Sequence, residues 1–190
     1  MKITVIIPVF NEINTIEQII NLVLDQKKFI LEVIVVDDCS IDGSKDILEK
    51  FKNYKNIKMI FHKNNKGKGA AIKSAAEHIS GEIVIIQDAD LEYDPKDYEK
   101  LVTPIINGEA NVVYGSRVLG REKKNFTLKE KFRIFANFLL TMISNIFKSN
   151  KLTDAHTCYK VFKTNIFLQL NLKENDFAFC PEVTTKLSKI

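Results

Sequence analysis

Five short runs of aliphatic and β-branched residues, each followed by a stretch with helical spacing, constrain this chain more than any other feature. They are Ile3 to Ile7 (ITVII), Leu31 to Val36 (LEVIVV), Ile57 to Phe61 (IKMIF), Glu82 to Ile86 (EIVII) and Ala110 to Tyr114 (ANVVY). Nearly continuous apolar runs of this length suit strands buried on both faces. Between them the spacing predicts helices from Asn14 to Leu24, from Ser40 to Tyr54, from Gly69 to His78 and from Pro95 to Ile106. The first has Asn14 as N-cap and Glu17 three residues on, the pattern of a capping box. Strands alternating with helices imply βαβ units and a Rossmann-like, doubly wound, mostly parallel α/β sheet. Ligands of such sheets bind beyond the carboxyl ends of the strands. Those ends carry Pro8 to Glu12, Asp37-Asp38, His62 to Lys68, Asp88 to Glu92 and Gly115 to Arg117.

With 190 residues, 45% of them hydrophobic, residues 1–190 are expected to form one domain with a core large enough to need no staple. Cys39, Cys158 and Cys180 form no C-x-x-C and suggest neither a disulfide framework nor a zinc site. A reducing cytosol is the default compartment, and Cys158 and Cys180 read as small buried hydrophobes. No stretch has the roughly 20 apolar residues of a spanning helix. Past Arg117 the pattern changes, and a Phe-rich amphipathic helix is predicted over about 128–148. It is either a core element or a helix lying in a membrane interface. The final PEVTTKLSKI reads as a helix still running at the last residue, as if the C-terminus were clipped.

The sharpest chemical signal is Asp88-Ala89-Asp90, extended by Glu92, after the fourth run. Two carboxylates one residue apart at a strand end repel each other unless a cation sits between them. A hard divalent ion, Mg²⁺ or Mn²⁺, satisfies both and leaves room for phosphate oxygens. A bare D-x-D is more often a solvated acidic turn, but Glu12 and Asp38 end two neighbouring strands. Both carboxylates can accept hydrogen bonds from a nucleobase or ribose, with Phe10 as an apolar wall. Gly67-Lys68-Gly69 lacks the third glycine of a dinucleotide fingerprint and reads as a flexible turn, with Lys66 or Lys68 near the nucleotide. Among 28 basic residues only Arg117, Arg121 and Arg133 are arginine. Arginine's planar fork grips phosphate bidentately where lysine offers a point charge.

In this order and spacing IIPVFNE, VVDDCSIDGS, NKGKGAAIKSA, QDADLEYDP, VVYGSR and LTDAHTCYKVFK resemble the inverting family 2 glycosyltransferases. The nearer resemblance is to the branch similar to dolichol-phosphate mannose synthase and bacterial polyprenyl-phosphate sugar transferases. That resemblance implies a GT-A fold and transfer of a sugar from a UDP- or GDP-linked donor to a polyprenyl phosphate at the membrane surface. It implies a cytoplasmic enzyme, peripheral at the inner face, with no nucleic-acid partner. Pro8, Phe10, Glu12, Val36 and Asp38 match positions holding the base and ribose. Asp88, Ala89, Asp90 and Glu92 match those holding the diphosphate and its metal. Arg117 matches a donor-phosphate arginine, and Lys160 a further basic residue that reaches phosphate. Arg133 and Asn137 resemble the pair that holds the acceptor phosphate. Asp88, Asp90 and Arg117 are thereby the expected catalytic residues. Two alternatives stay open: a soluble sugar or polysaccharide acceptor, with Asp154 or Glu182 offered as base, and an inactive donor-binding fragment.

Overall fold

The computed structural model describes residues 1–119, 128–148 and 152–190, and within 128–148 the side chains of 134–145. In chain order the elements are β1 (Ile3–Val9), α1 (Ile16–Leu24), β2 (Ile30–Asp37), α2 (Ser44–Glu49), β3 (Ile57–Phe61), α3 (Lys68–Ala76) and β4 (Ile83–Ile86). They continue as α4 (Tyr98–Ile106), β5 (Val112–Tyr114), α5 (Leu128–Lys148), β6 (Lys160–Lys163), α6 (Thr164–Gln169) and α7 (Phe179–Leu187).

One six-stranded sheet runs β3-β2-β1-β4-β6-β5. The first four strands pair in parallel, while β6 is antiparallel to both β4 and β5. The expected mostly parallel α/β sheet therefore stands, with one strand that the sequence pattern missed. KVFK is only four residues long with a lysine at each end, so it carries no apolar run. Its pairing with β4 in register, Ile85 opposite Val161, makes it a strand.

The two faces of the sheet divide by the period of two that strands impose. Ile3, Val5, Ile7, Val33 and Val35 pack with Ile16, Ile19, Ile20 and Val23 of α1 and Val102 and Ile105 of α4. Ile6, Ile34, Val36, Val84 and Ile86 face the other way, against Ala71, Ile72 and Ala75 of α3 and Phe179, Cys180 and Val183 of α7. A residue on β1 thus meets a different helix from its neighbour, and a register slip by one would exchange the two cores.

The strand order reverses between β1 and β4, and the two strands also end at different heights. Pairing between them stops at Ile6 and Ile86, while β1 continues beside β2 to Val9. Pro8 therefore lies past the end of β4, where the missing N–H costs the sheet least. Beyond Ile86 the sheet is open on that side.

Several helix ends differ from expectation. The N-cap of α1 is Thr15, not Asn14, and the capping box does not form. The Glu12 carbonyl instead accepts from the N–H groups of Thr15 and Ile16, at 3.1 and 2.9 Å. Helix α2 is shorter than 40–54, because Gly43 at φ 100° makes the entry and Asp42 Oδ1 accepts from the Ser44 N–H at 2.9 Å. A 3₁₀ turn at Pro95–Asp97 precedes α4. Helix α7 ends at Leu187, so the helix does not run to the last residue.

Candidate active site

A cleft of about 530 Å³ opens where the strand order reverses. β1 sends Pro8, Val9 and Phe10 into its wall, followed by Glu12. β2 contributes Asp38, the start of α3 Gly67 and Lys68, and the end of β4 Asp88, Ala89, Asp90 and Glu92. Arg117, Cys158 and Phe177 close it from the far half of the chain. Nine of the residues singled out in the sequence thus share one cavity: Pro8, Phe10, Glu12, Asp38, Asp88, Ala89, Asp90, Glu92 and Arg117. The reason is topological, since each follows a strand and all these strands end on one side.

Two other residues do not line it. Val36 is buried in the core against α3, beneath the cleft. Lys160 is fully buried on β6, its ammonium bonded to the Thr157 carbonyl and 4.7 Å over the ring of Tyr114. Burial pushes that ammonium below the usual lysine range. Asn137 lies in a smaller groove beside Arg117 and His156. Arg121 and the side chain of Arg133 lie outside the described residues.

Carboxylates dominate the cleft. Burial pushes the Glu12 carboxyl above its usual range, and the charges of Asp90, Asp42 and Asp88 add to that rise against a hydrogen bond from Thr15. Asp88 is neutralised by Lys68, Nζ to Oδ1 2.5 Å. Burial disfavours the Lys68 charge, yet the Asp88 carboxylate beside it holds it above the lysine range. Asp90 is exposed, and its Oδ1 accepts from the Glu92 N–H at 3.0 Å. Leu91 between them sits at φ 61°, as Asn11 and Cys39 at the ends of β1 and β2 sit at 56° and 68°. Left-handed backbone at non-glycine residues costs about 1 kcal/mol or more each and collects at functional loops.

Asp38 is spoken for within the chain. Its carboxylate accepts from the N–H of Gly67 at 2.7 Å, the N–H of Lys66 at 3.0 Å and His62 Nδ1 at 2.6 Å. It organises the loop before α3, and both its oxygens are engaged there. His62 continues to Ser74 Oγ at 2.9 Å. The scattered histidines gave no hint of this chain, because the partners are 24 and 12 residues away. The glycines here are there for space: a Cβ on Gly67 or Gly69 would collide with the backbone of Asn175 or Glu174.

Arg117 is the most constrained cation of the cleft. Its Nε and Nη2 donate to Asp154 Oδ2 and Oδ1 at 2.8 and 3.0 Å, a bidentate fork. Nη1 lies 3.6 Å from Glu92. The Asp154 side chain is 0% exposed and also accepts from Asn137 Nδ2 at 2.9 Å. Burial raises its pKa, but the Arg117 and Asn137 hydrogen bonds outweigh this and hold the carboxyl below the usual aspartate range. One buried carboxylate therefore joins the cleft arginine to α5, a link the sequence analysis did not contain.

Past this link, α5 turns apolar side chains outward. Phe135 and Phe138 are 62% and 63% exposed, with Leu139, Leu140, Met142 and Ile143 around them. That part of α5 is not a core element among the described residues. No described helix is long and apolar enough to cross a membrane.

Cys180 is buried in the core with Cys158 packed against it, as expected of small hydrophobes, but their sulfurs are also 3.3 Å apart. The thiol of Cys180 is pulled below its ordinary range by the Cys158 S–H and by Lys160 and Lys68.

Among the described residues no three His, Cys, Asp or Glu side chains gather as a ready metal cage. The donor set nevertheless suits a hard cation brought in with a ligand. Asp88 and Asp90 offer oxygens on one turn, with the Glu12 carboxylate lining the same cleft. Mg²⁺-type sites commonly use one or two carboxylates and complete the shell with phosphate and water.

Residues 4–170 match the family model described as glycosyl transferase family 2. A dolichol-phosphate mannosyltransferase of Pyrococcus furiosus is 30% identical over 133 residues, 69% of this chain and 38% of the relative. A UDP-N-acetylglucosamine–dolichyl-phosphate N-acetylglucosaminyltransferase of Methanococcus voltae is 30% identical over 200 residues, 95% of this chain and 77% of the relative. Several relatives are much longer, the chain spanning between 38% and 59% of three of them. The fold is similar to that of S. aureus TarS 1-349 in complex with UDP-GlcNAc, TM-score 0.63 and 22% identity, over 98% of this chain and 54% of that one. It is also similar to glucosyl-3-phosphoglycerate synthase from Mycobacterium tuberculosis in complex with Mn²⁺ and UDP, TM-score 0.64 and 20% identity, over 87% of this chain and 57% of that one. These are GT-A glycosyltransferases, and the sheet described above has that fold.

Proposed function

The chain belongs to glycosyl transferase family 2, and from that premise we propose that it moves one sugar from a UDP- or GDP-linked donor to a polyprenyl phosphate, with inversion. Residues 1–190 then act as one donor-binding domain at the inner, cytoplasmic face of a membrane. The observation that carries this reading is the Arg117–Asp154–Asn137 link, which sets Arg117 between the acidic cleft and the exposed aromatic face of α5, a position that suits a grip on phosphate.

Among the residues lining the cleft, Phe10 and Pro8 would bound the base, the loop held by Asp38 would seat the ribose, and Asp88, Asp90 and Glu92 would hold the diphosphate end with Mg²⁺ or Mn²⁺. When bound, that ion neutralises charge developing on the departing diphosphate. Arg117, already oriented by Asp154, offers its remaining donors to the same oxygens. Lys68 offsets the charge of Asp88 from below. An acceptor phosphate oxygen attacks the anomeric carbon at about 3–3.5 Å in line. The bond to the diphosphate oxygen breaks, and its electron pair leaves with the nucleotide.

Phosphate is an anion at neutral pH and needs no base. The two carboxylates that could serve a soluble acceptor are both engaged. Asp154 is fully buried against Arg117, and Glu182 accepts from the N–H groups of Lys173 and Glu174 at 2.8 and 2.9 Å. This favours an acceptor that arrives ionised. Arg133 on α5 is assigned to the acceptor phosphate.

The test is transfer of radiolabelled sugar to a polyprenyl phosphate in vesicles with Mn²⁺. Asp90→Ala and Arg117→Lys are each expected to lower kcat by about 100-fold or more, the scale of one lost transition-state contact. Wild-type turnover in either variant refutes its assignment. Equal transfer to a soluble sugar by the wild type refutes the lipid acceptor.

A further inference from the structure

Cys158 and Cys180 take no part in the proposed transfer, yet the fold brings them together across 22 residues of chain, Sγ to Sγ 3.3 Å. Cys158 stands in the segment before β6 and forms part of the cleft wall, while Cys180 is 4% exposed at the start of α7. One sulfur is thus open to a small solute, and the other waits directly behind it. Lys160 and Lys68 add positive charge beside Cys180, whose thiol stands below its ordinary range, while the Cys180 sulfur and burial push the Cys158 thiol up. Cationic neighbours of this kind favour sulfur chemistry over inert packing.

We propose that this pair is a reversible oxidation site for hydrogen peroxide, and that its closure as a disulfide reshapes the nucleotide-binding cleft. The sulfurs must approach by about 1.2 Å to reach the bonded distance. In the first step a sulfur attacks peroxide, the O–O bond breaks, and one water leaves carrying the thiol proton. The product is a sulfenic acid. The second sulfur then attacks the first, the S–O bond breaks, the S–S bond forms, and a second water leaves. Two thiols and one peroxide give one disulfide and two waters, and a dithiol reductant reverses the change.

The closure has a route into the cleft. The Cys158 N–H and the Thr157 hydroxyl both donate to Tyr93 Oη, at 3.3 and 3.2 Å, and Tyr93 lines the cleft. This second half of the proposal rests on the nucleotide-binding reading above.

The test treats the full chain with hydrogen peroxide, blocks free thiols with an alkylating agent and maps the peptides by mass spectrometry. Cys39, part-exposed and remote in contact, serves as an internal control. The expected result is a reductant-sensitive cross-link between the Cys158 and Cys180 peptides, with Cys39 left alkylated. Separate alkylation of Cys158 and Cys180 at peroxide levels that oxidise Cys39 overturns the site. Titration with UDP and GDP plus Mn²⁺ is then expected to give about tenfold weaker binding after oxidation, restored by reductant and absent in Cys158→Ala and in Cys180→Ala. A cross-linked protein that binds nucleotide unchanged overturns the effect on the cleft. Reduced protein that binds neither nucleotide counts against the transferase reading, while the cross-link result stands by itself.

Discussion

Replacing Asp154 by Asn preserves its shape and removes its charge, which isolates what the Arg117 fork contributes. The native carboxylate accepts from Nε and Nη2 of Arg117 at 2.8 and 3.0 Å and from Asn137 at 2.9 Å. Removing one partner of a fully buried ion pair costs about 3–5 kcal/mol. Arg117 keeps 24% exposure and has Glu92 at 3.6 Å, so part of its charge can be satisfied elsewhere. A cost of about 2–3 kcal/mol follows. In a chain of 190 residues that lowers the melting temperature by about 5–10 °C. The sign with pH is fixed by the depressed pKa of Asp154. Its contribution is fully present above the ordinary aspartate value and is lost as pH falls through the lower folded value. Wild type and Asp154→Asn are therefore expected to converge in acid. The assay is urea and thermal unfolding from neutral to acid pH, with Arg117→Met and the double variant completing a cycle. A melting temperature within about 1 °C of wild type, or penalties that simply add in the double variant, refutes the reasoning.

Glu12 has the opposite sign, because burial and the charges of Asp90, Asp42 and Asp88 raise its pKa. Its ionisation opposes folding above the folded value, so Glu12→Gln is expected to melt higher at pH 7. The gain should vanish below the unfolded value, as a pH series of thermal melts will show. Phe135→Ser with Phe138→Ser removes two exposed rings and is expected to lower vesicle flotation by about tenfold or more, since burying each ring is worth about 1.5–3 kcal/mol. The melting curve should be unaffected, because neither ring is packed in the core. Gly67→Ala meets both a φ of 92° and the backbone of Asn175. It is expected to cost about 1–3 kcal/mol in urea unfolding and to disturb the three hydrogen-bonded partners of Asp38.

The layout of the sheet was legible in the apolar runs because burial on both faces leaves no room for polar residues there. ITVII, LEVIVV, IKMIF and EIVII all became strands, with ends within a few residues of those expected. KVFK did not show itself, since a four-residue strand whose β4 partners lie 74 to 80 residues away leaves no local periodicity. The cap of α1 was misplaced for a related reason. Asn14 and Glu17 have the spacing of a capping box, but the Glu12 carbonyl already takes the first N–H groups. Within the cleft, residues just after strand ends were legible from topology alone. Which of their atoms remain free was not, and Asp38 is the clearest case.

The sequence by itself determined the parallel α/β order, the strand-end carboxylates and the few arginines set among lysines. These are properties of spacing and residue type, and they survive any choice of side-chain partner. Only the tertiary structure decided that Asp154 and Asn137 hold Arg117, that Lys68 answers Asp88, and that Lys160 is sunk below the cleft. It likewise decided that two cysteines distant in the chain touch. Each of those pairings joins residues at least 17 positions apart in the chain, and their distance is set by how the helices and loops pack on the sheet. A carboxylate or thiol carries no mark of its partner until that packing brings the two together and excludes the water that would otherwise take its place.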